Sequence, residues 1–307
     1  MNLQRLEVFE AIIRNDFNVS RAATELRQSQ PGLSKHLQLL ESELGFQLFS
    51  RKGRRLVGLT EPGIEVHRVA ERMLRDSDSL SGIAQGFRDA DHGSLTIATT
   101  HTQARYVLPK VMLEFRKAYP HVHLALHQGS PEQVIREAAS GQADLAIATE
   151  GISETEELVT MPCYDWNRSI IAPIGHPVLS HEELSLEKIA EHPIVTYAFA
   201  FTGRSQINAA FAARGLKPEV DLTAIDADII KTYVRLGFGV GIVASMAFDP
   251  EADRGLEMRD ASHLFPVSTT SIGIARGSYL RGYVYSFIEL FAPHLTRQVV
   301  ESTLLGG

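Results

Sequence analysis

Two groups of residues in the 307-residue sequence combine side-chain types and spacings that could do chemistry. Near the start, Ser29-Gln30-Pro31 is followed by Ser34, Lys35 and Gln38. Gln30, Ser34, Lys35 and Gln38 occupy the side of a helix left free when Leu33, Leu37, Leu40 and Leu44 turn inward. On the first turns of a helix, such side chains match base edges in a major groove: Gln can bond adenine through two contacts, and Lys can reach the acceptors of guanine. Ser29 would lie near a phosphate, while it and Pro31 also suit the cap and first turn of the helix, and both roles can hold together. For Lys35, a solvated surface position competes with base contact. Further on, Arg51, Lys52, Arg54 and Arg55 surround Gly53 in a short basic turn, suited to phosphates rather than to reading sequence.

The second group is Thr99-Thr100-His101-Thr102-Gln103, which follows a strand-like run and opens a helix. Backbone N–H groups at such a junction attract an anion. The hydroxyls and the amide add neutral donors, a combination suited to sulfate or to the carboxylate of a small acylated amino acid. Thr149 stands just after another strand and Thr202 just before another helix. Any one of these threonines is served as well by a strand or N-cap role; taken together they favour a cleft. Other candidates fail on context. His121, His123 and His127 alternate along one strand, but no Cys is near and His101 would have to fold across, so no metal site is expected. Gly237-Phe238-Gly239-Val240-Gly241 precedes a strand, whereas a dinucleotide loop follows one. Cys163, the only Cys, has no His/Asp set beside it and excludes an intramolecular disulfide. No catalytic residues are expected.

The elements that must hold these groups follow from periodicity. Leu3, Leu6, Phe9 and Ile13 predict a first helix; Asn18 caps a second, carrying Val19, Ala22, Ala23 and Leu26; Arg27-Gln28 breaks it, and Ser29 opens a third that ends at Gly45. Two short helices joined by a tight break describe a helix-turn-helix, and the apolar runs on either side of the basic turn describe a hairpin wing. From Pro62 a long helix carries Val66, Val69, Met73, Leu80, Ile83 and Phe87 at alternating three- and four-residue steps, with Asp76 the one miss. That pattern suits a self-associating seam more than an amphipathic helix docked on its own domain. Asp89 to Gly93 reads as a hinge. Strands are expected at 95–99, around 122–126, and at 144–148, 169–172, 194–197, 220–224, 240–244 and 271–275, alternating with helices; Ser130-Pro131-Glu132-Gln133 has the form of a capping box. The β-α alternation predicts an α/β class with parallel sheets, as one large or two small lobes.

The charge distribution agrees with a divided chain. Thirty Lys and Arg against 37 Asp and Glu give a net of −7, yet residues 1–60 hold nine basic and six acidic residues, a net of +3. A basic head on an acidic body suits a polyanion reader joined to something else. No apolar run approaches the roughly 18 residues of a membrane span, and MNLQRLEVFE does not read as an export signal, so the expected location is the cytoplasm, with no membrane partner.

The runs 18–23 (NVSRAA), 29–36 (SQPGLSKH), 40–45 (LESELG), 49–51 (FSR) and 59–63 (LTEPG) resemble the LysR-type transcriptional regulators almost position by position. The remainder is similar to their CysB/Cbl branch, the regulators of sulfur assimilation. It carries 97–106 (IATTHTQARY), 127–131 (HQGSP), 146–150 (AIATE), 166–168 (WNR), 195–197 (VTY), 201–205 (FTGRS), 226–228 (DAD) and 231–237 (KTYVRLG). The resemblance implies a winged helix-turn-helix at 1–59, a linker and dimerisation helix with hinge at 60–92, and a two-lobed, periplasmic-binding-protein-like effector domain at 93–307. Lobe I would comprise about 93–162 and 267–307, lobe II about 163–266. It further implies promoter DNA held by Ser29, Gln30, Pro31, Ser34, Lys35, Gln38, Arg51, Arg54 and Arg55, and an effector held by Thr100, Thr102, Gln103, Thr149, Trp166 and Thr202. The implied effectors are acetylserine species, sulfate, thiosulfate or adenosine phosphosulfate, without other cofactors; the implied partners are a second or fourth copy of the chain and RNA polymerase. Three rival readings are a LysR-type regulator of unrelated metabolism, a solute-binding protein, which the basic head opposes, and an enzyme, which lacks a catalytic set.

Overall fold

Asn2, Asn18 and Ser29 each accept a backbone N–H from the first turn of the helix that follows, fixing the starts of α1 (Leu3–Arg14), α2 (Val19–Glu25) and α3 (Gln30–Leu44). The computed structural model describes residues 2–53, 55–86, 92–149, 151–180, 182–198 and 203–306, with backbone alone at 72, 75, 76, 78, 79 and 81–86. Between α2 and α3 the chain reverses through Arg27 in the left-handed region, and α3 stops at Gly45, whose φ of 81° a side chain would resist. β1 (Phe49–Lys52) and β2 (Arg55–Leu59) pair antiparallel, with Lys52 opposite Arg55. Leu6, Phe9, Ile12, Leu33, Leu40, Leu48 and Phe49 are buried together, and the Phe49 ring lies 5.2 Å from Phe9 and 6.0 Å from Phe17. Each such side chain contributes about 1.5–3 kcal/mol on leaving water, which short helices need in order to persist.

The long helix α4 (Glu61–Gly86) differs from the expected seam. Val66, Ala70, Met73 and Leu74 pack on the core of the helix-turn-helix, so its first half is docked on its own domain, whereas Val69 and Leu80 are 45% and 68% exposed. Val66 and Met73 are thus core rather than seam. Ile83 and Phe87 of the seam, and Asp89 to Asp91 of the hinge, lie outside the described side chains and residues respectively. The chain divides into two compact units, Met1–Arg88 and Asp89–Gly307.

The second unit holds two five-stranded sheets. The first lobe comprises β3 (His92–Thr99), α5 (Leu108–Ala118), β4 (His121–Gln128), α6 (Pro131–Ala139), β5 (Leu145–Ala148) and β6 (Leu158–Trp166). The chain then builds the second lobe: β7 (Arg168–Pro173), α7 (Leu186–Ala190), β8 (Ile194–Tyr197), α8 (Arg204–Ala213), β9 (Val220–Ala224), α9 (Ala227–Arg235), β10 (Val240–Ala244) and β11 (Leu256–Asp260). It returns through β12 (Ser268–Ala275), α10 (Gly282–Phe291) and α11 (Arg297–Gly306). Strand orders are β4-β3-β5-β12-β6 and β11-β7-β10-β8-β9. Alternation sends Leu95, Ile97, Leu145 and Ile147 to the α5–α10 face and Ala98, Ala146 and Ala148 to the α6 face. In the second sheet, Ile170 and Ile242 face α8, while Ile171 and Val243 face α9.

Three expectations change here. The sheets are mixed rather than parallel, because β12 enters antiparallel to β5 and β6, and β7 antiparallel to β10 and β11. The outward crossover falls at Asn167 rather than after 162, since β6 stays in the first sheet through Trp166. Pro162 disguised that strand; it is tolerated because β6 is an edge strand whose register shifts beside it, opposite Thr270/Ser271. His92 and Gly93, expected in the hinge, already belong to β3.

Candidate functional site

On the head, Ser29, Gln30, Pro31, Lys35 and Gln38 are exposed and Ser34 is half-buried, while Leu33, Leu37 and Leu40 anchor the opposite face of α3. Ser29 Oγ accepts the Gly32 N–H at 3.3 Å, so its capping role is made; its outer surface remains available. On the wing, Lys52 and Arg55 are exposed and Arg54 lies outside the described residues. Arg51 is partly committed: its guanidinium donates to the buried Glu41 carboxylate at 3.2 Å, which also accepts the Leu48 N–H at 2.9 Å. That arrangement ties the wing to α3.

In the second unit, the chain leaves β3 at Thr99, whose hydroxyl donates to Ile147 O, and turns at once into helix. The helix widens to a π-helical turn at Gln103–Val107 before α5, and π turns recur at functional sites. Thr100, Thr102 and Gln103 are buried here, with Gln103 only 1% exposed. Gln103, Thr149 and Trp166 come together on one residue that the sequence analysis did not single out, Thr270 on β12. Its hydroxyl oxygen lies 3.0 Å from Gln103 Nε2, 3.2 Å from Thr149 Oγ1 and 3.1 Å from Trp166 Nε1. The Tyr164 hydroxyl donates to Gln103 Oε1; burial pushes the Tyr164 pKa up to about 12, so it stays a donor. In the other lobe, the buried Tyr197 hydroxyl accepts the Ala244 N–H at 3.3 Å. Thr202 lies outside the described residues.

Both crossovers run beside this cluster, Trp166 pairing with Ser268. Arg168, 1% exposed, donates from Nη1 to Pro266 O at 3.1 Å and sets its guanidinium 5.1 Å from the Trp166 ring. It braces the outgoing crossover against the returning one. The arrangement is a set of hydroxyls, one amide and one indole gathered at the first sheet beside the helix that leaves β3. Among the described residues it brings no nucleophile and base together.

The comparisons with known proteins agree with this architecture. Residues 3–64 match the bacterial regulatory helix-turn-helix proteins of the lysR family, and residues 88–296 match the LysR substrate binding domain. The chain belongs to the LysR family. It is 50% identical over 304 residues to the HTH-type transcriptional regulator SsuR of Burkholderia cenocepacia, covering 99% of each chain. It is 48% identical over 306 residues to the CysB regulator of the same organism, covering all of this chain and 98% of that one. Among solved structures, the cofactor-binding domain of the Cbl transcriptional regulator superposes with a TM-score of 0.68 at 41% identity, covering 70% of this chain and 95% of that domain. The protein is therefore a DNA-binding transcriptional regulator with a two-lobed domain for a small-molecule effector, and not an enzyme.

This LysR-family chain also carries a cross-lobe contact that motif reading missed. Asp228, in the first turn of α9, accepts the Tyr106 hydroxyl at 2.8 Å and lies 3.3 Å from Arg105 Nε and 3.7 Å from His101 Nε2, all on the helix that carries Thr102 and Gln103. Lys231 Nζ sits 3.3 Å from the same carboxylate and 5.0 Å from the Tyr106 ring, and is itself held by Asp253 at 3.1 Å and by Ala247 O at 2.9 Å. Partial burial opposes ionisation of Asp228, but the Tyr106 hydroxyl, Lys231 and Arg105 together hold its pKa below the usual value.

The rejected candidates also have structural accounts. His127 pairs with Glu137 at 2.8 Å, His121 stacks on His92, and His101 turns to Asp228. Cys163 is buried, its thiol pushed up to about 12 by desolvation. A Cβ on Gly239 or Gly241 would lie 2.1 Å from Pro193 O or 2.4 Å from Ile171, so these glycines serve close strand packing. Among the described residues Glu10, His67 and Glu71 offer ligand atoms within 4.8 Å of one another; the carboxylates face different ring nitrogens of His67, Glu10 hydrogen-bonded to Nδ1 at 2.8 Å and Glu71 3.8 Å from Nε2.

Proposed function

We propose that this regulator controls genes of sulfur assimilation or of alternative sulfur sources, and that its effector is a small oxyanion or acylated amino acid held between the lobes. Sulfate, thiosulfate, adenosine phosphosulfate and acetylserine are the candidates. The observation that carries the reading is the uncharged polar cluster that Gln103, Thr149, Trp166 and Thr270 form beside the helix start at Thr100 and Thr102. Thr202 would complete it. Similarity to SsuR, CysB and Cbl supports the sulfur assignment.

In this reading residues 1–59 bind promoter DNA through Ser29, Gln30, Pro31, Ser34, Lys35 and Gln38 at the groove and Arg51, Arg54 and Arg55 at the backbone. Residues 60–92 link the head to the effector domain at 93–307. The exposed Val69 and Leu80 suit a second copy of α4, and a dimer or tetramer would present paired heads to two half-sites. The protein would work in the cytoplasm with RNA polymerase as a further partner; among the described residues no helix is long and apolar enough to cross a membrane. An effector changes transcription only as far as it binds one arrangement of the assembly better than another.

Trp166 is the only Trp of the chain, so its fluorescence reports on the cleft directly. Titration of the full-length protein with sulfate, thiosulfate and acetylserine is expected to change that signal and to alter promoter occupancy for at least one of them. No response to any would remove the reading.

A further inference from the structure

The first strand of the wing hangs on one buried carboxylate. Glu41 lies on the packed face of α3 and is 7% exposed. A carboxylate so placed is unfavourable unless its oxygens are bonded, and both are. Oε1 accepts the backbone N–H of Leu48, the residue before β1, at 2.9 Å; Oε2 accepts Arg51, within β1, at 3.2 Å. The register of the hairpin shifts between Ser50 and Arg51, and such irregularities re-aim a side chain. Arg51 thereby differs from its neighbours: among the described residues, Lys52 and Arg55 form no ion pair and stay exposed. A second tie grips the same strand. The Phe49 ring sits 5.2 Å from Phe9 and 6.0 Å from Phe17. The turn between α1 and α2 carries Asp16 and Phe17 through the left-handed region, at φ 53° and 62°, which a bulky side chain rarely adopts. The head thus holds a buried charge and a strained turn against one short strand.

We propose that Glu41 is a positioning residue for DNA binding. Without meeting the duplex, it fixes the wing to α3 through Leu48 and Arg51, so that the basic turn and the free face of α3 meet DNA as one preset surface. The inference rests on the reading in which the wing lies on the phosphate backbone. Within that reading it separates Arg51, which acts through Glu41, from Arg54 and Arg55, which meet phosphates directly. Two signs distinguish the roles. On charge alone, neutralising an acid in a DNA-binding head strengthens attraction to a polyanion, whereas loss of positioning weakens binding. A cation on a phosphate adds about one to the salt slope, whereas a cation that holds the wing adds nothing.

The test uses the full-length chain, Glu41→Gln, Arg51→Met, the double variant and Arg55→Ala. Each is titrated, over a range of salt, onto a labelled duplex that the wild type has selected from a random pool. Gln at position 41 keeps an acceptor for the Leu48 N–H but sets its amide N–H2 against the Arg51 guanidinium, so the tie breaks while the head keeps its fold. Arg51 has the more exposed side chain of the pair, 36% against 8%, so Arg51→Met serves if Glu41→Gln does not fold. Each of these two variants should weaken binding about tenfold with the salt slope of the wild type, and the double variant should lose little more than either. Arg55→Ala should lower the slope by about 1. Unchanged or tighter binding by Glu41→Gln, additive losses, or a slope lowered by about 1 in Arg51→Met overturns the positioning role and leaves the wing reading standing. An unchanged slope in Arg55→Ala removes the wing from the backbone and overturns both.

Discussion

Removing the Asp228 carboxylate should loosen the grip of one lobe on the other by an amount the structure allows to be worked out. In Asp228→Ala, the bond from the Tyr106 hydroxyl at 2.8 Å is lost. Bonds to charged groups are worth about 1.5–3 kcal/mol, and the carboxylate is 40% exposed, so the low end, about 1.5, applies. Arg105 is 61% exposed and adds about 0.3 kcal/mol at most. Lys231 keeps Asp253 and Ala247 O, so little is lost there. The total is about 2 kcal/mol, which for a unit of this size lowers Tm by about 4–8 °C. Melting followed by Trp166 fluorescence reads the second unit alone. Tyr106→Phe should cost about 1.5 kcal/mol, and the double variant should cost little more than Asp228→Ala, since both remove one bond. The depressed Asp228 pKa means that its contribution is present above the ordinary value of 3.8 and lost only as pH falls through the lower folded value. The shift should therefore be the same at mildly acidic and neutral pH. Fully additive single variants, or a Tm change under about 1 °C, would refute the latch.

Two further outcomes follow from the head. Lys35→Ala should weaken binding to a cognate promoter by about 1–3 kcal/mol while relaxing preference at one base position, whereas Arg55→Ala should weaken all sequences alike and lower the salt slope by about 1; anisotropy titrations over a range of salt separate the two, and an unaffected Lys35→Ala removes α3 as the reader. The His67 pKa is raised, chiefly by its hydrogen bond to the buried Glu10 and further by Glu71. Its stabilisation is thus fully present below the ordinary 6.5 and lost as pH rises through the higher folded value. Urea midpoints of the wild type should fall between about pH 6 and about pH 8 relative to His67→Gln, which does not titrate; parallel profiles would show that the pair does not couple α4 to α1.

What the sequence made legible was whatever a local pattern decides. Ser29 before Pro31, and Ser130 three residues before Gln133, announce helix starts because a cap needs only its own first turn, and both caps are made. The α/β alternation shows for the same reason. What stayed hidden depends on partners distant in the chain. Val66 and Met73 obey a seam period, yet a helix face cannot state whether the core it meets belongs to its own chain or to another copy. β6 was masked by Pro162, whose tolerance depends on the strand lying at an edge, a property of the sheet and not of the segment. The cleft divides along the same line. Thr100, Thr102 and Gln103 stand at a strand-to-helix junction that local pattern reveals, whereas Thr270 is one hydroxyl in the unremarkable run Ser268-Thr269-Thr270-Ser271 until folding brings Gln103, 167 residues away, onto it. A residue that gathers Gln103, Thr149 and Trp166 from three other segments has no local signature, because its partners are set by the fold and not by its neighbours in the chain.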